Sequence, residues 1–187
     1  SYFDIPIQHV NDDILKAMNR RGTKAYLQTL FDKIRSRVPD CVIRTSLIAG
    51  LPGEGEAEFL ELCDFLKRNR LERVGAFVYS PEEGTPAAEM PRPDEETAKT
   101  RAQYIERLQS RIMDEWCQEK VGASIEVLCE GFDDESGLYY GRSQWDSPDI
   151  DSRVWFTGRN FVPGEFVQVA VTAVRDGELQ GAACQEE

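Results

Sequence analysis

At 187 residues the chain has room for one large or two small domains, and an apolar content of 41% is ordinary for a soluble protein. No apolar run approaches the roughly 18 residues needed to span a bilayer and no signal peptide opens the chain, so a cytoplasmic protein is expected. A formal net charge of −12 disfavours nucleic acid and membrane surfaces as partners and favours basic proteins. The five cysteines, Cys41, Cys63, Cys117, Cys129 and Cys184, are scattered, odd in number and never spaced as CxxC or CxxxC, which argues against a disulfide framework or a metal knuckle. They read as buried or half-buried thiols.

Ser1 to Gln8, SYFDIPIQ, reads as a short strand with no initiator Met before it, which predicts a fragment of a longer protein. Asn11 to Arg20 reads as a short helix with Ile14, Leu15 and Met18 on one face and Gly22 as its stop. Thr23 then caps a helix in which Tyr26, Leu27, Leu30, Phe31 and Ile34 recur at helical spacing until Pro39. The stretch that follows, Cys41 to Glu54, organises this half of the chain. CVIRTSLI is β-branched and apolar enough for a buried strand, Gly-Leu-Pro-Gly ends it sharply, and a helix bearing Phe59, Leu62, Cys63 and Leu66 opens next. Val74 to Tyr79 is a third strand, and strands separated by helices predict parallel βαβ units. Strand, glycine turn and helix place backbone N–H groups at the mouth where α/β folds bind ligands, although glycines that merely permit positive φ would read the same way.

Ser80 to Pro93 is a Pro-rich loop of the kind that lies on a surface or over a site, and Asp94 caps a long helix with Ala98, Ile105, Leu108, Ile112 and Trp116 on one face. Past Val121-Gly122 the period changes. Ser124 to Cys129, Leu138 to Ser143, Val154 to Thr157 and Glu165 to Val174 read as short strands, the last carrying Phe166, Val167, Val169, Val171 and Val174 among polar neighbours. Two domains are therefore expected, an α/β domain over 1–119 and a small OB-like β-barrel over 120–187.

Three stretches, YFDIPIQH with NDDILKAMNRRG, RTSLIAGLPGE, and VGAFVYSPEEGTPAAEMP, resemble the second half of the radical SAM domain of methylthiotransferases, and the remainder resembles their C-terminal TRAM domain. The resemblance implies a partial TIM-type barrel, of which the three βα units are half, followed by the TRAM barrel. It also implies S-adenosylmethionine cleaved on a 4Fe-4S cluster, sulfur insertion and methyl transfer onto a C–H carbon. The DIPIQH form and GRSQWDSPDID, Gly141 to Asp151, resemble the branch that modifies an aspartate of the basic ribosomal protein near the decoding centre. The tRNA-adenosine branch typically carries Ser-Gly-Ser where this chain has His9-Val10-Asn11. Gly55 stands where the family commonly has threonine, a lost capping hydroxyl worth less than about 1 kcal/mol. The CxxxCxxC triplet that binds the radical SAM cluster is absent, as is the family's upstream domain, so no metal ligand is assigned and the fragment alone is expected to be inactive.

Carried over position by position, the resemblance assigns cofactor contacts to Gln8, His9, Arg44, Ser46, Ile48, Gly50, Val78, Tyr79 and Ser80. Alternation puts Arg44, Ser46 and Ile48 on one face of their strand, where a guanidinium can take the methionyl carboxylate bidentately or pair with a neighbouring acid instead. His9, the sole histidine, fits a general base or a hydrogen-bonded structural ring, and Val78 and Tyr79 fit ordinary core packing. No catalytic residue is assigned. The β domain sets 5 basic residues against 13 acidic ones between Lys120 and Glu187, so a phosphate backbone is repelled and a basic ribosomal protein attracted, with Asp146, Asp149 and Asp151 as first contacts. Besides the enzyme, a tRNA-modifying relative and a non-catalytic adaptor with a degenerate barrel stay open, and a hydrolase ranks last because no Ser-His-Asp or paired-carboxylate spacing stands out.

Overall fold

The computed structural model describes residues 1–184. They form two compact units, one over Phe3–Ile112 and the other running from Met113 onward together with Ser1 and Tyr2.

The first unit holds an open three-stranded sheet in the order β1-β2-β3, with β1 at Tyr2–Asp4, β2 at Val42–Ala49 and β3 at Arg73–Val78. Helices α1 (Asp12–Ala17) and α2 (Lys24–Arg37) precede β2, α3 (Glu56–Asn69) links β2 to β3, and α4 (Glu95–Gln118) follows. β2 and β3 run parallel, from Arg44 opposite Arg73 to Ala49 opposite Val78. The period-2 pattern of β2 sorts its faces: Ile43, Thr45, Leu47 and Ala49 are buried, while Arg44, Ser46 and Ile48 are half-buried on the other side. Thr45 is tolerated in that dry face because its hydroxyl accepts the Ile7 N–H at 3.1 Å and donates to the Ile5 carbonyl at 2.8 Å. Around β2 the core gathers Phe31 of α2, Leu62, Phe65 and Leu66 of α3 and Ile105 of α4, each large side chain contributing roughly 1.5–3 kcal/mol by burial.

Caps define the helix starts. Asn11 accepts from the Asp13 and Ile14 amides, Thr23 from Tyr26, and Asp94 from the Thr97 amide at 2.8 Å. At Gly55 the hydroxyl half of a capping box is missing, but the Glu58 carboxylate still takes the Gly55 N–H at 2.9 Å.

Several local expectations shift. The strand expected over Ser1–Gln8 spans only Tyr2–Asp4, since Pro6 has no N–H to give and Gln8, at φ 67°, keeps a single bridge to Leu47. The first helix, expected over Asn11 to Arg20, spans Asp12–Ala17, because Asn19 takes the left-handed position at φ 56°. Tyr26 is 61% exposed, so the buried stripe of α2 is Leu27 and Phe31, flanked by partly buried Leu30 and Ile34.

The second unit contains a closed five-stranded barrel ordered β4-β5-β6-β8-β7, with β4 at Ser124–Asp133, β5 at Leu138–Ser143, β6 at Val154–Thr157, β7 at Phe166–Arg175 and β8 at Glu178–Ala183. β8 was not expected from the pattern, yet it closes the barrel by pairing antiparallel with β7 and parallel with β6. Asp176-Gly177, at φ 51° and 77°, makes the two-residue turn that folds it back. On β7, Val167, Val169 and Val171 point inward, but Phe166 is 70% exposed, and a register shift between Val171 and Ala173 breaks the alternation before Val174. In this unit Trp116 meets Trp145 edge-on at 5.3 Å and Lys120 lies 4.9 and 4.5 Å from the two rings. That sandwich fastens the last turn of α4 to the loop after β5.

Candidate functional site

β2 and β3 end side by side, joined by the Tyr79 N–H donating to the Ala49 carbonyl at 2.8 Å. Beyond them opens a cleft of about 720 Å³, lined by Gly50 and Val78–Ser80 on the strand side and by the end of the Pro-rich loop and the first turns of α4 on the other. The volume lies within the range of small-molecule sites. The loop is tied down where the Gly53 N–H donates to the Pro91 carbonyl at 3.2 Å. Ser80 is exposed at the mouth, and the nearby cations are engaged locally: Arg92 donates to the Ala88 carbonyl at 2.7 Å and Lys99 pairs with Glu95 at 2.6 Å. Hydrogen bonds from the Thr97 amide and hydroxyl hold the Asp94 carboxyl below its usual range.

Gly50, Val78, Tyr79 and Ser80 are thus brought together, although 28 or more positions separate the first from the others in the chain. Ser46 and Ile48 share the half-buried face of β2 with Arg44. Arg44 Nη1 lies 2.6 Å from Asp4 Oδ2, a partly exposed ion pair. Among the described residues Gln8 bonds through its backbone, donating to the Ser46 carbonyl at 2.9 Å and accepting from the Ile48 N–H at 3.0 Å. His9 is fully buried, so it does not reach the cleft. Its Nδ1 accepts the Asn11 N–H at 3.0 Å, and its Nε2 faces Glu54 Oε2 at 3.4 Å.

Glu54 is the side chain that sequence reasoning passed over. It is buried, its Oε1 accepts the Gly50 N–H at 3.0 Å, and the same oxygen takes Arg101 Nη1 at 2.8 Å. Burial pushes its carboxyl up, but the His9 ring facing it, together with hydrogen bonds from the Gly50 amide and Arg101, outweighs that and leaves it below the ordinary value. Arg101 is itself mostly buried, with its guanidinium 5.1 Å from the Phe59 ring centroid. A signal was present: Arg101 stands three residues after Ala98 and four before Ile105, on the apolar face of α4, where an unpaired cation could not stay.

On the barrel, the loop after β5 carries the three expected contact residues, and two are occupied in holding it. Asp146 Oδ2 accepts the Ser143 N–H at 3.0 Å and its hydroxyl at 2.6 Å, and Asp151 Oδ2 accepts the Ser147 N–H at 2.8 Å. Asp149 is exposed at φ 60°, beside a small hollow of about 100 Å³ that also includes Arg142 and Arg153. No helix among the described residues is long and apolar enough to cross a membrane.

Residues 1–66 match the family model of the radical SAM superfamily and residues 121–184 that of the TRAM domain. Curated relatives include "Ribosomal protein uS12 methylthiotransferase RimO" of Caldicellulosiruptor saccharolyticus, 42% identical over 96% of this chain and 41% of its own length. Those of Desulforamulus reducens, 43% identical over 98% of this chain, and Clostridium perfringens, 41% identical over 100%, are each covered over 42% of their length. The chain therefore spans about two fifths of the curated relatives it matches. Among solved structures, the radical SAM enzyme coproporphyrinogen III oxidase (HemN) of Escherichia coli aligns with a TM-score of 0.50 at 15% identity, covering 64% of this chain and 32% of that one, a likeness of fold alone. The chain thus carries part of a radical SAM domain followed by a TRAM domain and is similar over nearly its whole length to curated methylthiotransferases.

Proposed function

We propose that this chain is the C-terminal portion of a cytoplasmic methylthiotransferase that places a methylthio group on an aspartate of ribosomal protein uS12. The observation that carries the reading is the cleft, where Gly50 meets Val78, Tyr79 and Ser80 at the ends of two parallel strands, in a chain more than 40% identical to enzymes named for that activity. The open sheet, with β1 and β3 at its edges and Phe77 of β3 56% exposed, fits half of a larger TIM-type barrel completed by the rest of the enzyme.

The residues present fit S-adenosylmethionine and do not fit an iron–sulfur cluster. For the cofactor there is a cleft of suitable size with strand-end backbone groups, the Ser80 hydroxyl and, on the same face of β2, Arg44. Asp4 engages Nη1 of Arg44, and a guanidinium has four further N–H groups for a carboxylate. Bound there, the cofactor would supply the methyl group and the adenosyl radical precursor, and Gly50 and Val78–Ser80 would hold its adenine. For a cluster, no three His, Cys, Asp or Glu side chains gather among the described residues, and Cys41, Cys63, Cys117 and Cys129 are buried. The acidic barrel supports recognition of a basic protein over nucleic acid, with Asp149 as the exposed contact.

The test is a chimaera that joins this chain to the cluster-bearing remainder of the Caldicellulosiruptor relative, assayed by mass spectrometry on uS12. Methylthio-aspartate is the expected product. A chimaera with intact clusters that modifies tRNA adenosine, or nothing, overturns the proposal.

A further inference from the structure

The cleft has two walls, the end of β2 at Gly50 and the first turns of α4, and both are held from behind. A Cβ placed on Gly50, which sits at φ 83°, would lie 2.4 Å from the Ala98 Cβ, so α4 packs directly against the turn. Three residues further along α4, Arg101 Nη1 reaches Glu54 Oε1 at 2.8 Å and the Glu54 carbonyl at 2.9 Å. The same Oε1 takes the Gly50 N–H at 3.0 Å, so one carboxylate oxygen joins the backbone of one wall to a cation of the other. Its second oxygen has only His9 Nε2 before it, at 3.4 Å, and neither atom makes a hydrogen bond in the described structure. Because His9 Nδ1 accepts the Asn11 N–H, the proton of the neutral ring resides on Nε2 and points toward that oxygen.

We infer that Glu54 and Arg101 are positioning residues that set the width of the cleft, with His9 fixing the orientation of the Glu54 carboxylate; the inference rests on the cleft being the cofactor site. None of the three lines the cleft. They act through Gly50, whose N–H is spent inward on Glu54 and so is not offered to a bound adenine. A carboxylate this deep is tolerated only with its partners in place, so loss of one partner loosens both walls together.

Two near-isosteric variants separate this role from plain stabilisation of the fold. Arg101→Lys keeps the charge but loses the planar guanidinium, whose Nη1 makes both bonds to Glu54 and whose Nη2 lies 3.5 Å from Glu56 Oε2. Glu54→Gln keeps an acceptor for Gly50 and Arg101 but offers an amide donor to the Nε2–H of His9. Segment-resolved hydrogen exchange on the 187-residue chain, with millimolar S-adenosylmethionine as probe, is the readout. In each variant, exchange rises about tenfold or more at residues 50–56 and 94–101 while α2 and the barrel are unchanged, and S-adenosylmethionine affinity falls about tenfold, the scale of one charge-assisted bond. Exchange rising evenly over 3–112, or unchanged at both walls, overturns the inference. Local loosening with undiminished affinity overturns it too and leaves the cofactor reading standing. Local loosening in a chain whose wild type takes no S-adenosylmethionine supports the clamp and sinks the cofactor reading instead.

Discussion

Gly50 and Asp149 both sit at positive φ in turns that follow strands, at 83° and 60°, but the regions around them use charge in opposite ways. At the cleft, the charged groups that hold the fold, Glu54 and Arg101, are buried behind the wall, and the surface offered to a ligand is backbone, Ser80 and exposed side chains. At the loop after β5, the same kind of residue does both jobs: Asp146 and Asp151 spend their carboxylates on Ser143 and Ser147, and Asp149 alone of the three is left exposed. The difference decides what mutagenesis can report. Binding and folding are separable at the cleft, whereas on the loop two of three substitutions remove the scaffold along with the charge.

The largest effect that sharpens this contrast is expected from Arg101→Ala. It strands the Glu54 carboxylate in a dry site and should cost roughly 3–5 kcal/mol in denaturant unfolding of the chain, against roughly 0.5 kcal/mol or less for Asp149→Ala. Equal costs for the two would end the distinction between buried and surface charge.

Next is Arg44→Ala in the chimaeric enzyme. Loss of a charge-assisted contact to the cofactor carboxylate should weaken S-adenosylmethionine about ten- to a hundred-fold by calorimetry. Its pair with Asp4 is partly exposed, so the melting temperature should move little, by the equivalent of about 1 kcal/mol or less. An unchanged affinity with a lowered melting temperature would assign Arg44 to the ion pair alone.

Asp146→Ala should remove two hydrogen bonds of the loop and destabilise the barrel by about 1–2 kcal/mol, while Asp149→Lys should leave its stability nearly intact. By stopped flow, Asp149→Lys should instead slow association with uS12 a few-fold at low salt, with the difference fading as ionic strength rises. A rate unaffected by Asp149→Lys at low salt would move the contact surface elsewhere on the barrel.

The smallest effect concerns pH. The Glu54 carboxyl lies below its ordinary value in the folded state, so its contribution is fully present above the unfolded-state value, about 4.3, and is lost as pH falls through the lower folded value. Glu54→Gln should therefore flatten the acid limb of the stability curve below about pH 4.3. Asp149→Lys should leave that limb of the α/β unit as it is. Cys63 offers a reporter for such opening: burial pushes its thiol up to about 11, so at mild alkaline pH it should be alkylated only through opening, long after exposed Cys184.

Much was legible from local order alone. Thr23 and Asp94 mark helix starts because a side-chain oxygen finds an amide three residues on, and the alternation in β2 separates Arg44, Ser46 and Ile48 from the core because successive side chains of a strand point opposite ways. The motifs also placed Gly50 and Val78–Ser80 at one mouth, since parallel strands linked by a helix must end on the same side of their sheet. β8 was legible in principle, as Asp176-Gly177 between short apolar runs is a hairpin signal, but its parallel partner β6 lies more than 20 residues away. What only the tertiary structure decided is which polar groups meet. Arg101 bonds Glu54 across 47 positions, Arg44 meets Asp4 across 40, and His9 turns inward to Glu54 and away from the cleft. Helical and strand periods state which face a side chain takes; they do not state what stands opposite. That depends on the approach of distant segments, where the cost of an unpaired buried charge selects the partner.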